Sequence, residues 1–266
     1  MFLFRVSTPV VALVVTLWVV AATVAGVWLG RRLRTTHEGL RDAVGAIQAA
    51  LLAFVAVLFA FGLAMGVDRY EGRRQAVVDE ANAIGTTYLR AQLLAEPARS
   101  RSLHLLQDYT DARIELSNTE VESEPFNAAV SKSREVQRSL WSNAGSAIAD
   151  LPIDSAPRLY VESLNQMIDA DSSRVSALGN RIPSSVLVLY IAAGGLAMGA
   201  LGLFMGLHGK GTRAVFAASV VVALILLVIV DLDRPRRGFV VVPRAPLTSV
   251  RAIMSDEPAV GGPILN

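Results

Sequence analysis

The chain has 266 residues, 53% of them hydrophobic, with a mean hydropathy of +0.46 and a formal net charge of +2. That composition is too apolar for an ordinary water-soluble domain, and the absence of Cys excludes disulfides, thiolate metal sites and cysteine nucleophiles. The net charge hides an asymmetry: residues 68–183 carry 13 basic and 17 acidic side chains, the remainder 12 and 6. The positive surplus lies beside the apolar stretches, where it sets topology and meets anionic lipid headgroups. It is missing from the soluble part, so no nucleic-acid partner is expected.

Four stretches lack charged residues over about twenty positions, the length a helix needs to cross a bilayer. They are Ser7–Gly30, Ala43–Val67, Ile182–Gly209 and Ala214–Val230. The first is long, preceded only by Arg5 and followed at once by Arg31, Arg32 and Arg34. A cleaved signal has a shorter core and a small-residue cleavage site before polar sequence, so this run reads as a retained anchor. Four spans place both termini and the middle segment on one side. If that side is the cytoplasm, it holds Arg5, Arg69, Arg73, Arg74, Arg174, Arg181, Arg234, Arg236, Arg237 and Arg244 near the span ends. The opposite arrangement gives it only Arg31, Arg32, Arg34, Arg41, Lys210 and Arg213. The positive-inside rule therefore places the termini inside, against the pull of the Arg31–Arg34 cluster.

The second span has two distinct faces. Ala49, Ala53, Ala56, Ala60 and Ala64 form a small-residue stripe, and Phe54, Leu58, Phe61 and Met65 form a bulky one. Small residues let neighbouring helices approach. The bulky stripe is either packing against lipid or bundle, or a ring of apolar side chains around a pore, which can gate ions by dewetting. Asp68, Arg69, Tyr70, Glu71, Gly72, Arg73 and Arg74 follow. They read as interfacial anchors, or as charges that line a vestibule and bias ions by local potential.

No Pro occurs between Gly45 and Glu96, so the second span continues as one helix of about fifty residues, with Val77, Ala81, Ile84 and Tyr88 on one face. Pro97 ends it or opens a helix carrying Leu103, Leu106 and Tyr109. Pro125 suits the first turn of another, with Phe126, Val130, Leu140 and Ile148. Pro152 and Pro157 bracket a turn before a helix with Leu164, Ile168, Val175 and Leu178, and Pro183 precedes the third span. After the fourth span, Asp231 and Asp233 do not share a helical face, so an ion pair with Arg69, Arg73 or Arg74 is favoured over a bound metal. The tail reads as an extended, strand-like arm, with a short helix around Leu247, Val250 and Met254 and a disordered end from Glu257 to Pro263.

There is no phosphate-binding glycine loop and no Gly-x-Ser-x-Gly elbow, and His37, His104 and His208 lack ligand spacing. Glu80 is the best single acid for chemistry, but no nucleophile or base accompanies it in the sequence. No enzyme activity, cofactor or metal is expected.

Asp68-Arg69-Tyr70-Glu71-Gly72-Arg73, at the end of an apolar helix, resembles the Asp-Arg-Trp-Trp-Glu-Gly-Arg motif of bestrophin ion channels, with one aromatic in place of two. Glu80-Ala81-Asn82-Ala83-Ile84-Gly85-Thr86 and Asp231-Leu232-Asp233-Arg234-Pro235-Arg236-Arg237-Gly238 resemble two signatures of the bestrophin-like integral membrane proteins of bacteria and plants. That resemblance covers most of the chain. It implies a homo-oligomer, pentameric in bestrophins, with the second span lining a central ion pathway above a helical cytosolic vestibule. The missing aromatic leaves the pore register open by several positions. The acidic calcium-binding cluster of animal bestrophins has no counterpart.

The expected architecture is all-α: a transmembrane helix pair in 1–67, a soluble helical domain in 68–182, a second pair in 183–233 and a tail in 234–266. The expected function is a bestrophin-like oligomeric ion channel in a bacterial inner membrane, its partners being the lipid bilayer, further copies of itself and inorganic ions. The pore candidates are Phe54, Leu58, Phe61 and Met65. The vestibule candidates are Asp68, Arg69, Glu71, Arg73 and Arg74, and Asp231 and Asp233 are candidate ion-pair partners. A non-conducting membrane-anchored sensor or scaffold is the alternative, and a membrane-embedded enzyme a more distant third.

Overall fold

The computed structural model describes residues 7–34, 40–148, 156–209, 211–235, 238–262 and 264. Arg5, His37, Pro152, Lys210, Arg236, Arg237 and Pro263 lie outside them. The described residues form helices α1 (Thr8–Leu33), α2 (Leu40–Ala91), α3 (Ala98–Leu116), α4 (Glu124–Ile148), α5 (Ala156–Gly179), α6 (Ser184–His208), α7 (Thr212–Leu232) and α8 (Ala245–Ile253), and no strand. The fold is all-α, and four helical stretches are long and apolar enough to cross a membrane. The chain divides into two units. One combines residues 1–70 with 181–240, and the other combines 71–180 with 241–266. The tail beyond Val240 belongs to the second of these units.

α2 is a single helix of 52 residues, about 78 Å at 1.5 Å per residue. Without an internal Pro, nothing breaks its hydrogen-bond ladder where the sequence changes from apolar to charged. Proline also punctuates the other helices as the pattern predicts. Pro97 precedes α3, Pro183 precedes α6, and Pro125 and Pro157 stand in the first turns of α4 and α5, where a missing N–H is harmless.

In the first unit α1 packs most extensively along α6. Helices in hydrocarbon gain little from burying apolar surface against each other, so close backbone approach has to hold them. Glycine supplies it. A Cβ on Gly202 would stand 2.6 Å from the Thr23 carbonyl oxygen, and one on Gly206 2.5 Å from that of Val27. A Cβ on Gly26 would collide with the Gly199 carbonyl. α7 joins through a buried hydroxyl pair, Thr23 Oγ1 and Ser219 Oγ at 2.8 Å. α2 adds Val55 and Phe59, the latter edge-on to Tyr190 with ring centroids 6.4 Å apart. The turn between α6 and α7 uses Gly209 and Gly211, at φ 70° and 77°, where a side chain would be strained.

In the second unit Val77, Ala81, Ile84 and Tyr88 of α2 are all buried, as are Leu103, Leu106 and Tyr109 of α3, Leu140 of α4 and Leu164 of α5. The tail differs from the sequence expectation in two ways. Residues 239–244 form no strand, although Val242 is buried. The end that was expected to be disordered is tied down: Val260 N–H donates to Gln92 Oε1 at 3.2 Å, and the buried Arg99 guanidinium donates to the Val260 and Gly262 carbonyls. A low-complexity end can be ordered by its backbone alone when a buried donor needs acceptors. The expected short helix is α8, held by Arg251–Asp111 at 2.7 Å and by Gln107 donating to the Met254 carbonyl at 2.7 Å.

Two alanine substitutions separate the helix-approach role from ordinary helix propensity. Gly206→Ala forces α1 and α6 apart and lowers the melting temperature in detergent. Gly145→Ala, at an α4 position with nothing within 4 Å of its Cβ, raises stability by about 0.5–1 kcal/mol. Equal effects would contradict the close-approach reading.

Candidate functional site

The membrane part of α2 presents three faces. Val55 and Phe59 are buried with Gly62 and Gly66 against α6 and α7, where Tyr190, Ile229 and Leu232 receive them. Ala49, Ala53, Ala56, Ala60 and Ala64 are all exposed, so no helix among the described residues covers the small-residue stripe. The bulky stripe flanks the buried face, about 90° from it at 100° per residue. Phe54, Phe61 and Met65 are 61%, 64% and 37% exposed, and Leu58 is half-buried against the bundle core.

The charges at the end of this helix meet different fates. Asp68 is exposed, and no cation pairs with it among the described residues. Arg69 is only 20% exposed and reaches Asp233 at 3.4 Å. Glu71 and Arg74 pair with each other at 2.6 Å on the surface, an arrangement of small energetic value. Arg73, expected to face a vestibule, is 2% exposed. Its guanidinium donates to the carbonyls of Ala177 (3.4 Å) and Asn180 (3.0 Å) at the end of α5. The unsatisfied carbonyls and negative dipole end of a helix hold a cation more firmly than open water does.

Asp231 and Asp233 also part company. Both oxygens of Asp233 accept the Ile182 N–H at 3.0 Å just before α6, in addition to Arg69. Asp231 accepts the N–H groups of Phe239 (2.8 Å) and Val240 (3.0 Å), turning the chain back after α7. Gly238 sits so close to that carboxylate that a Cβ there would lie 2.7 Å from it. Arg234, 2% exposed, donates to Thr8 Oγ1 at 3.2 Å at the start of α1. Asp231, Asp233 and Arg234 thus join the end of α7 to the beginnings of α1 and α6 and to Arg69 of α2. No group of three or more His, Cys, Asp or Glu that could hold a metal occurs among the described residues.

Sequence reasoning left Glu80 without a partner, and the structure supplies several. Glu80 is fully buried and accepts from Arg113 Nε at 2.5 Å, from Arg174 Nη1, and from the Tyr109 hydroxyl at 3.4 Å. Arg113 Nη2 lies 2.6 Å from Asp171 Oδ1, a close ion contact without hydrogen-bond alignment. Gln137 donates to Asp171 Oδ2 at 2.8 Å, and Arg174 donates to Ser117 Oγ at 2.5 Å. Two carboxylates and two guanidiniums balance. Burial pulls the Arg174 guanidinium below its ordinary value. Burial acts the same way on Arg113, but Glu80, Tyr109 and Asp171 outweigh it and raise that group. Burial pushes the Tyr109 hydroxyl far above the normal phenol range, so it stays a donor.

A signal for this cluster was present in the sequence. Arg113 falls in the apolar register Leu106, Tyr109, Leu116, and Asp171 and Arg174 fall between Met167 and Leu178. A charge at a core-facing position requires an opposite charge from another core-facing position.

This chain belongs to the Bestrophin-like family: the Bestrophin-like domain matches residues 17–247. Among solved structures it is similar to three crystal structures of a bacterial bestrophin homologue from Klebsiella pneumoniae. Two are point variants. One is 14% identical, with a TM-score of 0.64 over 89% of this chain and 97% of the other. The second is 13% identical, with a TM-score of 0.67 over 92% and 96%. The third, phased on zinc, is 14% identical, with a TM-score of 0.61 over 88% and 96%. These likenesses establish the bestrophin fold. No curated protein matches the chain.

Glu80→Gln leaves two buried guanidiniums facing one carboxylate. It should cost about 3–5 kcal/mol of stability, read as a lower denaturation midpoint by circular dichroism. A loss below about 1 kcal/mol would show that the cluster is not buried as described.

Proposed function

We propose that several copies of this chain assemble around a common axis and conduct ions passively, with α2 of each copy lining the pathway. The observation that carries this reading is the unused flank of α2. Phe54 and Phe61 are largely exposed and Met65 partly so, on a helix whose adjacent face is packed against the bundle. Leu58, half-buried, marks the edge of that flank. The alanine stripe is exposed as well and suits close approach by a second copy. A ring of Phe and Met side chains narrows such a pathway to an apolar constriction, which resists ions by dewetting when tight and passes them when wider.

Membership of the Bestrophin-like family and the fold of the Klebsiella homologue support the same reading. With the termini and the soluble unit in the cytoplasm of a bacterial inner membrane, basic residues gather on the cytoplasmic side, as the positive-inside rule requires. Arg73 is buried, and its charge is directed at the Ala177 and Asn180 carbonyls at the end of α5. Among the described residues both oxygens of Glu80 are taken up by Arg113, Arg174 and Tyr109. We therefore read Glu80 as structural, not catalytic.

Two measurements test this. The mass of the detergent-solubilised protein should correspond to a closed ring; a monomer or dimer provides no central pathway and favours an anchored scaffold. In planar bilayers Phe61→Ala should raise single-channel conductance severalfold over the parent. Unchanged conductance at Phe54→Ala, Phe61→Ala and Met65→Ala alike would remove α2 from the pathway.

A further inference from the structure

We infer that Asp68 sets the sign of the permeant ion and makes the pathway cation-selective. This deepens the conduction reading above and rests on it. Asp68 continues the bulky stripe: positions 54, 58, 61, 65 and 68 follow one another at spacings of four, three, four and three. At 100° per residue Asp68 lies within about 20° of Phe61. The side chain that follows the apolar constriction on the same face is therefore a carboxylate.

Its neighbours decide whether that charge is felt. The motif Asp68–Arg74 holds three Arg and two acids, and composition alone predicts a positive mouth. The structure draws the positive charges away from the stripe. Arg69 turns into the bundle and is neutralised by the buried Asp233 at 3.4 Å. Arg73 keeps its charge but is buried, with its guanidinium turned to the carbonyls of Ala177 and Asn180. Arg74 is matched by Glu71 at 2.6 Å. Asp68 alone of the five charged candidates is both exposed and unpaired among the described residues.

Copies of one carboxylate brought round an axis reinforce one another, and a ring of acids beside a low-dielectric constriction concentrates cations and repels anions. One exposed carboxylate on the stripe per subunit is enough, since every copy places it at the same height. The effect is electrostatic and weakens with salt, because the screening length falls from about 30 Å at 0.01 M to about 3 Å at 1 M.

The test is the reversal potential of the full-length protein in planar bilayers under a tenfold NaCl gradient. The parent should favour Na+ over Cl−. Asp68→Asn should reduce the permeability ratio at least threefold, and Asp68→Arg should bring it below one. Glu71→Gln, which frees Arg74 away from the stripe, should change the ratio less than Asp68→Asn. The difference between parent and Asp68→Asn should shrink as both solutions are raised towards 1 M. Size-exclusion profiles matching the parent establish that the exposed substitutions leave assembly intact. Two results overturn the inference while leaving conduction standing: a parent that favours Cl−, or a ratio unmoved by Asp68→Asn. Absence of any current from the parent overturns the conduction reading itself, and the inference falls with it.

Discussion

Apolar side chains surrounded by lipid tails gain nothing by turning towards one another, so the bilayer half of this protein is held by contacts other than hydrophobic burial. Gly26, Gly202 and Gly206 let α1 and α6 meet backbone to backbone, and the Thr23–Ser219 pair ties in α7. The same constraint frees the large side chains. Phe54 and Phe61 stay largely exposed on the protomer surface. In the proposed assembly their exposure leaves them for a shared pathway, and their bulk narrows it.

The soluble half solves a different problem. In water, burial of apolar residues suffices to drive packing, and the unit has the core for it in Ile84, Leu103, Leu106, Leu140 and Leu164. Within that core it nonetheless places Glu80, Asp171, Arg113 and Arg174. Such a group adds little net stability over apolar residues of the same shape, but each member is costly to lose singly. It brings α2, α3 and α5 into one register, with Gln137 of α4 attached through Asp171. Arg73 acts similarly by capping α5. α2 runs through both regimes, and the division between units falls within it, between Tyr70 and Glu71.

Much of this was legible from the chain alone, for identifiable reasons. The spans announce themselves because a charge inside hydrocarbon is expensive. The continuity of α2 follows from the missing Pro, and the helix starts from Pro97, Pro125 and Pro183. The fates of individual charges were not legible. The partners of Glu80 lie 33 and 94 residues away, and Asp233 meets Arg69 across 164 positions. Local spacing cannot report such pairings. The tail misled for the opposite reason, since its Gly and Pro content describes the segment and omits the Arg99 waiting for its carbonyls.

Because the chain contains no Cys, single cysteines can be introduced along α2 without background. A thiol reacts with a charged methanethiosulfonate only as the thiolate, which requires water, and lipid-facing positions supply none. Scanning residues 49–67 in membranes, the account predicts reactivity, with altered current, that peaks at 54, 58, 61 and 65 and is low at 49, 53, 56 and 60. Reactivity absent from the bulky stripe, or in phase with the alanines, would contradict a water-filled pathway along that face.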